Sequence, residues 1–150
     1  PDIYNNTIYN YNKQNGGASY YGIKLGTSST GNVKNNLVIK GTYAGGGCYS
    51  LASATVATNG SSDATGTAGL QSLTAANLFV SVTGGSEDLH LKAGAAAIDV
   101  GTDLSGTFTT DIDGQTRPTG ASTWDIGADE YVAAATAVTG PFPTFRPDIA

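Results

Sequence analysis

Two aspartates and a glycine, in the order Asp111-x-Asp113-Gly114, are the residues of this chain whose spacing most directly suggests chemistry. Closely spaced carboxylates ahead of a glycine turn can wrap a hard cation, as the opening of a calcium loop does. The later ligands and the distal glutamate of an EF-hand are missing. A structural use of the same residues is the simpler expectation: Asp111 or Asp113 caps the turn, Arg117 pairs with Asp125 or Glu130, and Pro118 stiffens the exit. Calcium is thus the one cofactor the sequence invites, with Asp111 and Asp113 as its candidate ligands.

His90 is the only histidine, set between Leu89 and Leu91 with Asp88 two positions earlier. Residues two apart on a strand point to the same side, so an Asp88 to His90 contact is sterically open. A general base needs such a positioned partner. A surface or hydrogen-bonding role is nonetheless the ordinary one for a lone histidine, and no catalytic residue is assigned. Polysaccharide lyases and hydrolases need clustered acids and a base on one face. Residues 1–86 offer only Asp2 and Asp63. An active site wholly inside this segment is therefore not expected, whereas one on upstream coils stays open.

Seven of the eight tyrosines fall in the first 49 residues. Tyrosine faces stack on sugars while the hydroxyl bonds to ligand or water, so Tyr4, Tyr9, Tyr20 and Tyr21 are candidates for a glycan-binding strip. Packing between coils or between subunits competes with that reading, because Tyr4 and Tyr9 become Lys34 and Ile39 in the repeat described next.

The elements that must position these residues show themselves as a repeat. Asp2-Ile3-Tyr4-Asn5-Asn6-Thr7-Ile8-Tyr9-Asn10 aligns with Asn32-Val33-Lys34-Asn35-Asn36-Leu37-Val38-Ile39-Lys40 at an offset of 30. Both read as strand, sharp asparagine corner, strand. A period of this size indicates stacked architecture, each repeat burying its apolar edge on the next. The expected fold is all-β, a parallel β-helix solenoid in which Val33, Leu37 and Ile39 lie over Ile3, Thr7 and Tyr9 at the usual interstrand distance. Asn5, Asn6, Asn35 and Asn36 are then structural: asparagine tolerates left-handed backbone, and stacked amides bond to one another. A third turn is expected through Val56 to Asn59, with shorter spacing.

Composition agrees. Apolar residues make up 39% of the chain, glycine is abundant at 21 residues and methionine is absent, which suits a thin core of strands and turns better than helices. The single cysteine, Cys48, excludes an internal disulfide and reads as a small core residue. Net charge is −5, unevenly spread: residues 87–130 hold nine of the twelve carboxylates against Lys92 and Arg117. Without a clustered basic face, nucleic acid is not an expected partner. No apolar run is long enough for membrane insertion, and no secretory signal is visible. A start at Pro1 inside a strand pattern, with no methionine, reads as a mature product or the tail of something longer. Three regions follow: β-helix coils over 1–86, a last coil and acidic cap over 87–131, and an Ala/Pro-rich extended tail over 132–150.

Asp88-Leu89-His90-Leu91-Lys92-Ala93-Gly94 through Ala97-Ile98-Asp99, then Asp111-Ile112-Asp113-Gly114-Gln115-Thr116-Arg117-Pro118 and Asp125-Ile126-Gly127-Ala128-Asp129-Glu130-Tyr131, complete the pattern. Together they resemble the closing segment of bacterial and phage-associated right-handed parallel β-helix proteins of the choice-of-anchor Q type, in the pectate-lyase-like superfamily. Ala95-Ala96 stands where such sequences commonly carry Ser-Pro. The resemblance implies a right-handed β-helix whose last coil is finished and covered by a C-terminal capping segment, residues 87–131. It implies no activity, because fold does not fix function. The functional expectation is a structural and adhesive segment of a secreted, cell-surface or virion protein, with an extracellular polysaccharide as candidate ligand. The alternatives are the C-terminal part of a polysaccharide lyase, hydrolase or phage tailspike whose site lies upstream, and a self-assembling homo-oligomer or fibre subunit.

Overall fold

The chain turns a corner at each asparagine pair. Asn5 (φ 47°) and Asn35 (φ 55°) take the left-handed backbone that ends one short strand and redirects the next, and Thr58 (φ 49°) repeats the corner a third time. The computed structural model describes residues 1–11, 20–42, 45–66, 69–120 and 123–134. The expected turn at Asn15-Gly16-Gly17, Tyr43 and the tail from residue 135 onward lie outside the described residues.

Among the described residues, ten short strands and one four-residue helix make up the regular structure. In chain order they are β1 (Asp2–Tyr4), β2 (Thr7–Tyr9), β3 (Tyr21–Leu25), β4 (Gly31–Lys34), β5 (Leu37–Ile39), β6 (Gly47–Leu51), β7 (Ala54–Ala57), β8 (Gly60–Ser61), α1 (Ala75–Leu78), β9 (Phe79–Ser81) and β10 (Asp88–Leu91). The protein is all-β, as its composition predicts. Strands before, at and after the corners form three sheets ordered β1-β4-β7, β2-β5-β8 and β3-β6, and every pairing within them is parallel.

The register matches the repeat. Ile3 lies beside Val33, Thr7 beside Leu37 and Tyr9 beside Ile39. Val33 then lies beside Val56 and Leu37 beside Gly60, so the third turn passes through the expected residues. The three sheets share no strand and remain separate rather than closing into one tube. A fourth pair, β9 with β10, is antiparallel and spans residue 86, where the sequence suggested a boundary between coils and cap.

Two apolar clusters meet across β5. Val38 packs with Ile23, Leu25, Val33, Cys48 and Tyr49 between the three parallel sheets. Leu37 and Ile39 point to the opposite side and pack with Leu78, Phe79, Leu91, Ala97 and Ile126. Alternation along a strand sends successive side chains to opposite faces, and here both faces are covered, so all three residues of β5 are buried. Each large apolar side chain buried this way contributes roughly 1.5–3 kcal/mol.

That second cluster explains where the C-terminal segment goes. Leu91, Ala95, Ala97 and Ile126, from the segment expected to cover the last coil, lie against the flank with Leu37 and Ile39. Residues 61–66 and 69–73 lie at the end of the stack. Leu70 bridges to Gly60, and Ser61 exchanges backbone hydrogen bonds with Leu70 and Leu73. On β6 the edge N–H groups of Cys48 and Tyr49 donate to Asp63 Oδ2 (2.8 Å) and Thr65 Oγ1 (2.9 Å). Side chains thereby blunt an edge that would otherwise template further pairing. At the other end β1, β2 and β3 each pair on one side only among the described residues.

Candidate functional site

Asn6, Asn36 and Asn59 form a continuous amide ladder across the three windings. The Asn6 side-chain amide donates to Asn36 Oδ1 at 2.9 Å, and Asn36 Nδ2 donates to Asn59 Oδ1 at 3.1 Å. Backbone N–H groups of Asn6 and Asn36 reach the same two acceptors. Asn36 Nδ2 also donates to Ile3 O, and Asn59 Nδ2 makes the equivalent bond to Val33 O. Every winding thus repeats one bonding pattern. Asn36 and Asn59 are buried while Asn6, on the open edge, is exposed.

The neighbouring column, Asn5, Asn35 and Thr58, faces the C-terminal segment. Asn5 Nδ2 donates to the carbonyls of Asp125 (3.2 Å) and Gly127 (3.0 Å), and Asn35 Nδ2 to that of Thr102 (2.7 Å). Thr58 Oγ1 donates to Asn35 Oδ1 at 2.6 Å, and Thr7 Oγ1 accepts from the Ala128 N–H. Corner residues are therefore the seam between stack and flank.

A buried network holds that seam. Arg117 Nη1 donates to Glu130 Oε2, and Nη2 donates to the carbonyls of Gly127 and Ala128. The guanidinium lies 5.1 Å from the Trp124 ring centre. Of the two expected partners of Arg117, Glu130 makes the ion pair. Asp125 is occupied otherwise, accepting the N–H groups of Asp99 and Tyr131. Burial pushes the carboxyls of Asp125 and Glu130 above their ordinary range.

Asp111 and Asp113 separate into different roles. Asp111 Oδ1 accepts the N–H groups of Asp113 and Gln115, capping the turn around Gly114, while Oδ2 accepts from Glu130 N. Asp113 turns outward and meets His90. His90 Nδ1 contacts Asp88 Oδ1 at 2.5 Å, and Nε2 contacts Asp113 Oδ2 at 2.8 Å. The imidazole is held above its usual pKa, first by the Asp88 carboxylate and then by Asp113.

Asp129 completes the group. Its Oδ2 accepts the Leu91 N–H at 2.6 Å, and burial raises its carboxyl. One ligand atom each from His90, Asp113 and Asp129 lie within 4.8 Å of one another, a set that could hold a metal ion. The sequence pointed to Asp88, His90 and Asp113 but missed Asp129. Its link to β10 spans 38 residues, and no local spacing signals it.

The candidate tyrosines have different surroundings. Tyr9 packs its ring edge-on against Phe79, with centres 5.9 Å apart, as part of the flank cluster. Tyr21 lies under Lys24 on β3, and Tyr20 is exposed beside it. Tyr4 sits at the open edge on β1. Tyr11 and Tyr49 are structural: their hydroxyls donate to Gly47 O (2.6 Å) and Asn36 O (2.7 Å).

No helix among the described residues is long and apolar enough to cross a membrane. Comparison with protein-family models, with curated proteins and with solved structures finds no match to this chain.

Proposed function

We propose that the chain forms the end of a right-handed parallel β-helix and acts as a structural, adhesive rod element in a secreted, cell-surface or virion setting. The observation that carries this reading is the Asn6–Asn36–Asn59 ladder. Its bonds run in one direction: each amide donates to the oxygen of the next winding. Asn36 Oδ1 and Asn59 Oδ1 each receive two such bonds, whereas Asn6 Oδ1 accepts none among the described residues. One more winding on the β1–β2 edge would complete the series and bury Asn6. One end of the stack is blunted over β6 by Asp63 and Thr65, and at the other end β1, β2 and β3 pair on one side only among the described residues. Such polarity suits a part that sits on a neighbouring coil and presents its finished end outward.

Sedimentation velocity over a wide concentration range tests this. Wild-type chain is expected to associate through the open edge. Asn6→Lys, which places a charge there, is expected to keep it monomeric. A wild-type chain that stays monomeric throughout would remove the stacking role.

A further inference from the structure

We propose that His90, Asp113 and Asp129 bind a divalent ion of the zinc class, with Asp88 as the residue that orients the imidazole. The geometry of this group is independent of the stacking role. β10 places Asp88 and His90 on one side of a strand, and the carboxylate at Nδ1 fixes which ring nitrogen faces outward. A metal-bound histidine is commonly held by this same carboxylate contact at its far nitrogen. The outward Nε2 meets Asp113, carried by the turn that Asp111 caps, and a carboxylate oxygen of Asp129, carried by the bend that follows Trp124, lies within 4.8 Å of the ligand atoms of both. Three separate parts of the chain therefore converge on one point.

Asp129 supplies the second observation. It is only 6% exposed, and its Oδ2 is fixed by the Leu91 N–H, yet no hydrogen bond reaches its Oδ1 among the described residues. Asp88 and Asp113 contact the single imidazole, Asp129 stands within 4.8 Å, and no lysine or arginine pairs with any of the three among the described residues. Lys92, the nearest in sequence, donates to Ala76 O instead. Clefts open on both sides of the group, one beside Thr7 and Ile112 and one beside Gln115 and Tyr131, and His90 and Asp129 line both.

Ligand type selects the ion. An imidazole with two carboxylates favours zinc and its transition-metal neighbours over calcium, which takes six to eight oxygens. Tetrahedral bonds of about 2.0–2.1 Å place ligand atoms about 3.3 Å apart, so atoms now within 4.8 Å need only small side-chain adjustments. Three protein ligands leave one position for water or a further donor.

The test is calorimetric titration of untagged, chelator-treated protein with zinc chloride, alongside nitrogen-resolved NMR of the His90 ring. Wild type is expected to bind one zinc ion at Nε2 with Nδ1 still protonated. Asp88→Asn is expected to weaken binding about 10–100-fold while leaving the metal on Nε2. His90→Gln and Asp113→Asn, both at exposed positions, are expected to abolish binding with the far-ultraviolet spectrum unchanged. Zinc binding that persists in His90→Gln, or equal competition by calcium, would identify an adventitious ion only and overturn the proposal. Absence of zinc binding by wild type would overturn it as well.

Discussion

Arg117 Nη1 and Glu130 Oε2 meet at 2.6 Å with both side chains withdrawn from solvent. The pair fixes the end of the flank segment at the point where Gly127 and Ala128 reach the corner residues. Arg117 Nε has no hydrogen-bond partner among the described residues, so the desolvation of the guanidinium is not fully offset there. Removing one charge and leaving the other buried is expected to cost about 3–5 kcal/mol. Glu130→Gln and Arg117→Met should therefore both lower the denaturation midpoint sharply. The double variant should lose less than the two single losses combined, as a double-mutant cycle in urea would show.

Asn36 carries the centre of the ladder. Its side chain donates to Ile3 O, Lys34 O and Asn59 Oδ1, and it accepts twice from Asn6. Asn36→Ala leaves several of these groups buried without partners and is expected to cost about 3 kcal/mol in equilibrium unfolding. Asn6→Ala, at the exposed end of the same ladder, should cost less than about 1 kcal/mol. Equal losses at the two positions would contradict the graded burial.

Asp63 gives the stack an acid-sensitive end. Burial works to raise its carboxyl, but hydrogen bonds from Thr65 and then from Cys48 N outweigh it and hold the carboxyl below its ordinary value of 3.8. A carboxyl depressed in the folded state contributes stability above that ordinary value and loses it as pH falls through the folded one. Wild type should therefore lose stability when urea melts are moved from about pH 5 to below pH 4. Asp63→Asn should be weaker at pH 5 and should show a shallower loss on acidification.

Cys48 reports on the inner core. It is fully buried, its thiol contacts Val38 O at 3.2 Å, and burial raises its pKa. The thiolate is the reactive form. A disulfide-exchange reagent is expected to label Cys48 only upon unfolding, and the labelling rate should follow the global stability of the variants above. Rapid labelling of native protein would contradict the packing between β5 and β6.

The coils were legible because their cause is local. Asn5 and Asn35 need left-handed backbone, and the apolar residues around them repeat at fixed offsets, so the parallel register follows from the residues alone. The third corner was harder to see. Thr58 takes the place of the first asparagine, and the step from Asn36 to Asn59 is 23 residues where the previous step is 30. The contact of Asp88 with His90 was readable from strand alternation. Asp129 was not, because it is brought in by the flank segment, whose placement depends on the outward face of β5. Nothing in the local pattern says that Leu37 and Ile39 will be covered from residues 78–126. The placement of Tyr9 was hidden for a related reason: its ring packs on Phe79 within that covering.

The seam at the corners also constrains the order in which the molecule can be built. Asn5 completes its bonding with carbonyls 120 and 122 positions further along the chain. Early windings must therefore leave the ribosome with a bare side and wait until Asp125 and Gly127 have been made. A β-stack that zips up as it is translated would mature gradually, but here the final lock arrives only with the closing residues of the flank.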